Sequence, residues 1–302
     1  MTVLEAIQKS TEFLAKKGVE SPRLQTELLL AHLLKLPRMK LYLNFDRGLT
    51  ASETDGLREL VKRRGLREPL QHIVGSTSFC GHEIAVSRAA LIPRPETELL
   101  AELGWKFLST SHQPPATALD FGAGTGCIAI ALAANCPDSR ITALDISADA
   151  LALAKQNAVQ NQFAGRIEFL QGDGFAALLS EGRISQVPNQ NDEDSQGSSL
   201  RQFDLIVSNP PYIASAEIAT LAPEVKDFEP RGALDGGADG LDYYRRLAAE
   251  AKPFLKPDGK IMLEFGDGQA DDIKKIFAEE KWVVEAVRDD YSQRARILVA
   301  RR

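Results

Sequence analysis

The sequence predicts an α/β fold built on a doubly wound, mostly parallel sheet and preceded by a small all-helical domain. Three observations predict it. From residue 117 onward, short apolar strand runs alternate with helix-length segments, the pattern of a parallel sheet covered on both faces. The last two strand runs are separated only by Asp-Asp-Tyr-Ser-Gln-Arg, too short for a crossover helix, so they pair as an antiparallel hairpin. Residues 1–70 read as helix throughout.

In the N-terminal part, "VLEAIQKSTEFLAKKG" repeats apolar positions at helical spacing and stops at Gly18. "SPRLQTELLLAHLLKL" starts with Ser21 as cap and Pro22 in the first turn, and ends before Pro37. "TASETDGLRELVKRRG" takes its cap from Thr50 or Ser52. Residues 71–92 switch to alternation, and "HIVGSTSFCGHEIAVS" predicts a β-hairpin turning near Gly81. "LIPRPETELLAELGWKFL" enters a helix at Thr97. The strands that follow are "TALDF", "RITALDI", "RIEFLQ", "FDLIVS", "GKIMLEFG", "WVVEAVR" and "ARILVAR", seven in all, with helices between most of them. Residues 180–202 are polar with almost no large apolar group, and predict a flexible surface loop.

The 302 residues are 44% hydrophobic and 26% charged, an ordinary globular composition. No apolar run is long and charge-free enough to span a bilayer, and the N-terminus lacks a signal-peptide core. Cys80, Cys127 and Cys136 are odd in number and lack metal spacing, as expected of reduced thiols in a cytoplasmic protein. The four histidines are scattered, so no metal is expected. Residues 1–90 hold 14 Lys and Arg against 10 Asp and Glu, a balance of +4; the remainder holds 22 against 32, a balance of −10. A net acidic chain is a poor generic binder of naked DNA, and no stable DNA binding is expected. The positive N-terminal part offers a surface to an acidic or RNA-associated partner, although an ordinary solvated surface explains the same balance.

The chemistry gathers at strand ends. "ALDFGAGTGCIAIALA" is a strand, a glycine turn and a helix. Gly122, Gly124 and Gly126 let the backbone turn sharply and approach a ligand, with Ala123 and Thr125 between them. The helix N-terminus behind them favours a negative group. The next strand ends at Asp145, whose carboxylate can accept both hydroxyls of a ribose. The third ends in "QGDGF", where Asp173 can accept from an adenine amino group. The glycine spacing is G-x-G-x-G, one residue tighter than a dinucleotide fingerprint, which leaves nicotinamide and S-adenosylmethionine cofactors as the alternatives.

The fourth strand, "FDLIVS", runs into Asn209, Pro210, Pro211 and Tyr212 at the same edge. Pro210 forces Asn209 into an extended conformation, and the two prolines fix φ and remove N–H donors. The corner is stiff and offers acceptors, the Asn209 side-chain oxygen and the Pro210 carbonyl, to an NH2 group with two protons. Tyr212 adds a flat face for a planar substrate. A rigid strand-end turn with a surface tyrosine is the purely structural alternative; behind a cofactor-like constellation, the catalytic one is favoured.

"LDFGAGTG", "LDIS", "SNPPY" and "FEPRGALDGGADGLDYYRRL" together resemble an adenosylmethionine-dependent methyltransferase acting on an amide or exocyclic amine. With "EPLQHIVGSTSFCGHEIAVSRAALIPRPETE" upstream, nearly the whole chain resembles the HemK/PrmC family, the release-factor glutamine N5-methyltransferases. The resemblance implies a class I methyltransferase-type seven-stranded sheet with its last strand antiparallel, over 97–302. Residues 1–70 would form a substrate-docking domain and 71–96 a hairpin linker. S-adenosyl-L-methionine would be the cofactor, and class I peptide chain release factors the protein substrates. Residues 122–126 would cradle the methionine part, Asp145 would hold the ribose, and Asp173 and Gly174 would flank the adenine. Asn209 would sit near both methyl donor and acceptor, with Pro210, Pro211 and Tyr212 completing a clamp on the substrate glutamine. Arg94, Thr97 and Glu98 of "IPRPETE" would border the cofactor pocket. Gly174 stands where some relatives carry a bulky side chain, and the 180–202 loop is longer than the family pattern. Two rivals remain: an N6-adenine nucleic-acid methyltransferase, which needs a basic groove that the acidic half does not offer, and a non-catalytic release-factor or ribosome adapter, which has no use for the cofactor and acceptor set.

Overall fold

The computed structural model describes residues 1–110, 114–181 and 200–302, and they divide into two compact units. The first comprises residues 1–76 and 221–229; the second comprises 77–220 and 230–302.

The first unit is helical: α1 (Val3–Lys16), α2 (Pro22–Leu34), α3 (Arg38–Leu41), α4 (Ala51–Gly65) and α5 (Leu70–Val74). Capping boxes start α1, from Thr2 and Glu5, and α4, from Thr50 and Glu53. Val3, Ile7, Leu14, Leu29, Leu30, Leu57 and Val61 are drawn from α1, α2 and α4 into one buried cluster. Glu27 of α2 is buried beneath Arg23, Arg38 and the Tyr42 hydroxyl, all at 2.9–3.0 Å, so its charge is fully paired. Ser21 precedes α2 but makes no side-chain cap; its backbone is left-handed (φ 46°), outside the extended region that capping residues adopt. The alternation expected over residues 71–92 begins later than the sequence implied, since Gln71, His72, Ile73 and Val74 lie in α5. Glu224, in the inserted segment 221–229, accepts from Arg64 Nη2 and from Arg67 Nε and Nη2, each at 2.7 Å.

Apart from Ser76, its first residue, the hairpin β1 (Ser76–Phe79) and β2 (His82–Ala85) belongs to the second unit, and it is turned by Cys80 and Gly81, both at positive φ. There follow α6 (Pro95–Leu108), β3 (Ala116–Phe121), α7 (Cys127–Asn135), β4 (Ser139–Asp145), α8 (Ala148–Gln160), β5 (Ile167–Gln171), α9 (Ala176–Glu181) and β6 (Phe203–Ser208). After the short α10 (Pro223–Lys226), which belongs to the first unit, come α11 (Asp242–Glu250), β7 (Leu255–Glu264), α12 (Ala270–Glu279), β8 (Val283–Asp289) and β9 (Ala295–Arg301). Helix α6 begins two residues before Thr97, because Pro95 takes the first-turn position where a missing N–H costs nothing.

Seven strands form one sheet in the order β5-β4-β3-β6-β7-β9-β8. β5 through β7 run parallel, and β9 is antiparallel to both its neighbours. This is the α/β, doubly wound sheet with an antiparallel last strand that the sequence predicts. One face packs on α6, α7 and α8 around Leu100, Ile128, Ile130, Leu132 and Ala158. The other packs on α11 and α12 around Tyr244, Leu247, Ile273 and Phe277. Helix α7 is buried from Cys127 to Ala133, which is why its sequence is apolar all round. Because β3 pairs with β4 on one side and β6 on the other, strand order reverses there. In open α/β sheets ligands bind in the crevice outside the carboxyl ends of the strands at such a reversal point.

Of the polar stretch 180–202, residues 182–199 lie outside the described residues. Arg201 is anchored to the sheet by Thr142 Oγ1 at 2.7 Å and Glu168 at 2.5 Å.

Candidate active site

The glycine turn after β3 is tied to the end of β4. Gly122 and Ala123 donate their N–H groups to the Leu144 carbonyl at 2.8 and 3.0 Å, and Gly124 N–H donates to Asp145 Oδ2 at 2.8 Å. Ser147 N–H donates to Asp145 Oδ1 at 2.8 Å. One hydrogen bond to each oxygen thus fixes the Asp145 carboxylate, which stays half-exposed with acceptor capacity left over. Gly122, Gly124 and Gly126 all have positive φ. A Cβ on Gly122 would meet nothing within 4 Å, so the loop faces open space, whereas one on Gly126 would press on Ala154 of α8 at 3.0 Å. Thr125 is buried, and its carbonyl accepts from Asn157 Nδ2 at 2.9 Å. Asn157 also exchanges hydrogen bonds with the Ala85 backbone, at 2.8 and 3.0 Å, and so fastens the β2 hairpin strand to the glycine turn. Beneath the turn, buried Asp120 accepts from Ala129 N–H at 3.0 Å; burial pushes its carboxyl up to about 7.

Beside Asp145, Ile146 stands 64% exposed, a large apolar side chain at the edge of the crevice. After β5, Asp173 is held by Arg246 of α11: Nη1 bonds Oδ1, and Nη2 bonds the Asp173 carbonyl at 2.9 Å. Gly174 adopts φ 65°, and a Cβ there would sit 2.7 Å from Arg246 Cζ.

The corner after β6 lies at the same edge. Ser208, the last residue of β6, donates its hydroxyl to the Phe121 carbonyl at 2.6 Å, locking the ends of β6 and β3 together. Asn209 Nδ2 donates to Thr97 Oγ1 at 3.1 Å, which leaves Oδ1 as the open end of the amide. Pro210 is buried; Pro211 and Tyr212 are partly exposed. The Tyr212 carbonyl accepts from Gln269 Nε2 at 2.9 Å, and its ring packs on Gly266, where a Cβ would lie 3.0 Å from Cδ2. Burial raises the Tyr212 phenol, so it stays neutral. The "ALDGGADG" stretch runs alongside: Ile213 N–H donates to Leu234 O, Gly236 N–H to Ile213 O and Ser215 N–H to Gly237 O, at 2.8–3.0 Å. A Cβ on Gly236 would lie 2.8 Å from the Pro211 carbonyl, so only glycine lets the two backbones approach this closely.

Two family models match the chain, one described as the PrmC N-terminal domain over residues 5–75 and one as a methyltransferase domain over 112–295. A release factor glutamine methyltransferase of Geobacter sulfurreducens is 41% identical over 278 residues, spanning 92% of this chain and 88% of that protein. One of Chlorobaculum tepidum is 38% identical over 291 residues, spanning 95% and 93%. This chain belongs to the release factor glutamine methyltransferase family. Among solved structures, a release-factor-specific protein-(glutamine-N5) methyltransferase of Alicyclobacillus acidocaldarius is similar at 27% identity, 72% of this chain, 98% of that chain and a TM-score of 0.41.

The methyl donor of this enzyme class is S-adenosyl-L-methionine, and the residues at the crevice fit it. The open space over Gly122 gives room for the backbone to meet a ligand. Asp145 offers a fixed carboxylate, and Ile146 an apolar surface. Among the described residues no group of three or more His, Cys, Asp or Glu is placed to hold a metal, and no helix is long and apolar enough to cross a membrane. Burial raises the thiols of Cys80, to about 12, and of Cys127.

Sequence reasoning passed over Arg246 and Ile146. Arg246 carried no signal, because its contact lies 73 residues away in the chain.

Proposed function

We propose that this chain transfers a methyl group from S-adenosyl-L-methionine to the side-chain amide nitrogen, N5, of the glutamine in the Gly-Gly-Gln motif of class I peptide chain release factors. The observation that carries the reading is the Asn209 amide, pinned through Nδ2 to Thr97, with Oδ1 accepting from no donor among the described residues. In this reading residues 122–126 cradle the methionine part, Asp145 holds the ribose, and Asp173 and Gly174 border the adenine. Ile146 supplies an apolar wall beside them. Residues 209–212 clamp the substrate glutamine, with the Tyr212 ring against its planar amide.

The donor's sulfonium supplies an electrophilic methyl group. An amide nitrogen is a poor nucleophile because its lone pair is delocalised into the carbonyl, so the task of the protein is to orient it and to localise that pair. Asn209 Oδ1 and the Pro210 carbonyl each accept one N–H, which raises electron density on nitrogen and aims it. Positive charge develops on that nitrogen during transfer, and the two acceptors stabilise it better than they stabilise the neutral amide. The extra proton is acidic once the nitrogen is methylated and leaves to water, so no base is needed beforehand.

Labelled methyl transfer to a purified release factor and, separately, to duplex DNA tests the substrate class. Label confined to the Gly-Gly-Gln glutamine on peptide mapping supports the reading; label in adenine and none in the release factor replaces it with the nucleic-acid alternative.

A further inference from the structure

Asn209 is held by a buried chain that runs behind the corner. Its Nδ2 donates to Thr97 Oγ1 at 3.1 Å, and Thr97, 3% exposed in the first turns of α6, lies near enough to Glu264 at the end of β7 for its hydroxyl to favour the ionised carboxylate. Glu264 is 1% exposed, and its Oε2 has no hydrogen-bond partner among the described residues. A buried carboxylate left half-satisfied is expensive for a purely structural residue, since an apolar side chain would fill the same space without that cost. Its surroundings are mixed. Arg94 and Glu96 face it from the start of α6, Tyr212 from the corner, Tyr244 from α11 and Arg296 from β9. Arg296 is itself engaged by Asp290 at 3.2 Å and the Phe265 carbonyl at 2.9 Å, and the Tyr244 hydroxyl donates to the Glu264 main-chain carbonyl at 2.8 Å.

We propose that Thr97 and Glu264 are positioning residues that hold the Asn209 amide in the one orientation that presents Oδ1 to the substrate nitrogen. The proposal rests on the reading of Asn209 as the acceptor clamp and adds what aims it. An asparagine amide has two orientations of nearly the same shape, and only hydrogen-bond partners choose between them. An ionised carboxylate can only accept. Glu264 in that state takes the Thr97 hydroxyl proton, so Thr97 Oγ1 has only lone pairs to offer Asn209, which must answer with Nδ2–H. The open end is then Oδ1. A protonated Glu264 reverses the chain: its O–H donates to Thr97 Oγ1, the Thr97 proton turns toward Asn209, and the amide rotates to bond it through Oδ1. An NH2 group then meets the substrate NH2, donor against donor, and the clamp is lost.

Burial pushes the Glu264 carboxyl up to about 7, against the lowering effect of the Thr97 hydrogen bond and of Arg296 and Arg94 and with the reinforcement of Glu96, so the reversal falls in an accessible pH range. The charged form of the chain is the competent one, so methyl transfer falls as pH drops through that value.

The test is methyl transfer to a release factor as a function of pH, with adenosylmethionine affinity measured by calorimetry, for the wild type, Thr97→Val, Thr97→Ser, Glu264→Gln and Asn209→Ala. The wild type is expected to show an acid limb in kcat near the Glu264 value. Thr97→Val should lower kcat by about tenfold or more with the cofactor affinity within about twofold, and Thr97→Ser, which keeps the hydroxyl, should restore most of it. Glu264→Gln is isosteric and cannot ionise, so whichever way its own amide turns it should remove the acid limb. A Thr97→Val enzyme as fast as Thr97→Ser, or an acid limb that survives in Glu264→Gln, overturns the proposal. Asn209→Ala separates the two levels: if it keeps near-normal turnover the clamp itself is misassigned, whereas if it is inactive while Thr97→Val is not, only the positioning chain fails.

Discussion

The guanidinium of Arg246 fills the space into which a side chain on Gly174 would project, and the same group bonds the carboxylate and the carbonyl of Asp173. The missing bulk at position 174 is therefore supplied from α11. Gly174 also sits at φ 65°, where a Cβ costs about 1–2 kcal/mol by itself. Gly174→Ala is expected to destabilise the protein by at least that amount. Arg246→Ala alone should change stability little, because Asp173 is a largely exposed partner. The double variant should be less destabilised than the sum of the two, since Arg246→Ala removes the collision. Urea unfolding of the four proteins measures the coupling; strict additivity would mean that Arg246 does not occupy that space in solution.

Asp145 does two jobs that one substitution separates. Its oxygens fix the N–H groups of Gly124 and Ser147, and in the proposed function its remaining lone pairs receive the ribose. Asp145→Ala is expected to weaken adenosylmethionine binding by about 1.5–3 kcal/mol, the worth of hydrogen bonds to a charged group. Titration calorimetry reads this directly, and an unchanged affinity would remove Asp145 from the site.

Glu224 holds Arg64 and Arg67 within the helical unit. Burial opposes its charge, but the hydrogen bonds from Arg67 and Arg64 outweigh that and hold its carboxyl down at about 2, against an ordinary 4.5. A carboxylate whose folded value is depressed stabilises the fold above its unfolded value and loses that contribution as pH falls toward the folded one. Glu224→Gln should therefore cost about 2 kcal/mol at pH ~7, with the gap to wild type closing as pH drops from about 4.5 toward 2. Chemical denaturation at the two ends of that window checks it; a gap independent of pH would assign the loss to shape rather than charge.

The sheet was legible because its central strands are buried on both faces and read as short apolar runs, and because the residues that end them change abruptly to Gly, Asp or Asn-Pro. Helix α5 was not, since Leu-Gln-His-Ile-Val is too short for a helical period to show and ends in β-branched residues that read as strand. The start of α6 was placed late because the capping character of Thr97 outweighed the first-turn signal of Pro95; buried against Asn209, Thr97 serves a partner 112 residues away. The glycine turn and the Asn209 corner could be read locally, while the contacts of Asn209 with Thr97 and of Asp173 with Arg246 exist only once distant segments meet.

Asn209 carries the chemical claim, and single-turnover methyl transfer to a release factor tests it most directly. With the enzyme saturated in labelled adenosylmethionine, Asn209→Ala is expected to slow transfer by about 10²–10³, the loss for one preorganised partner of developing charge, while it still binds the cofactor. A release factor whose Gly-Gly-Gln glutamine is replaced by asparagine, which draws the amide back by one methylene, should take no label from the wild-type enzyme. Near-normal transfer by Asn209→Ala, or label in the asparagine-substituted release factor at the wild-type rate, would contradict the account.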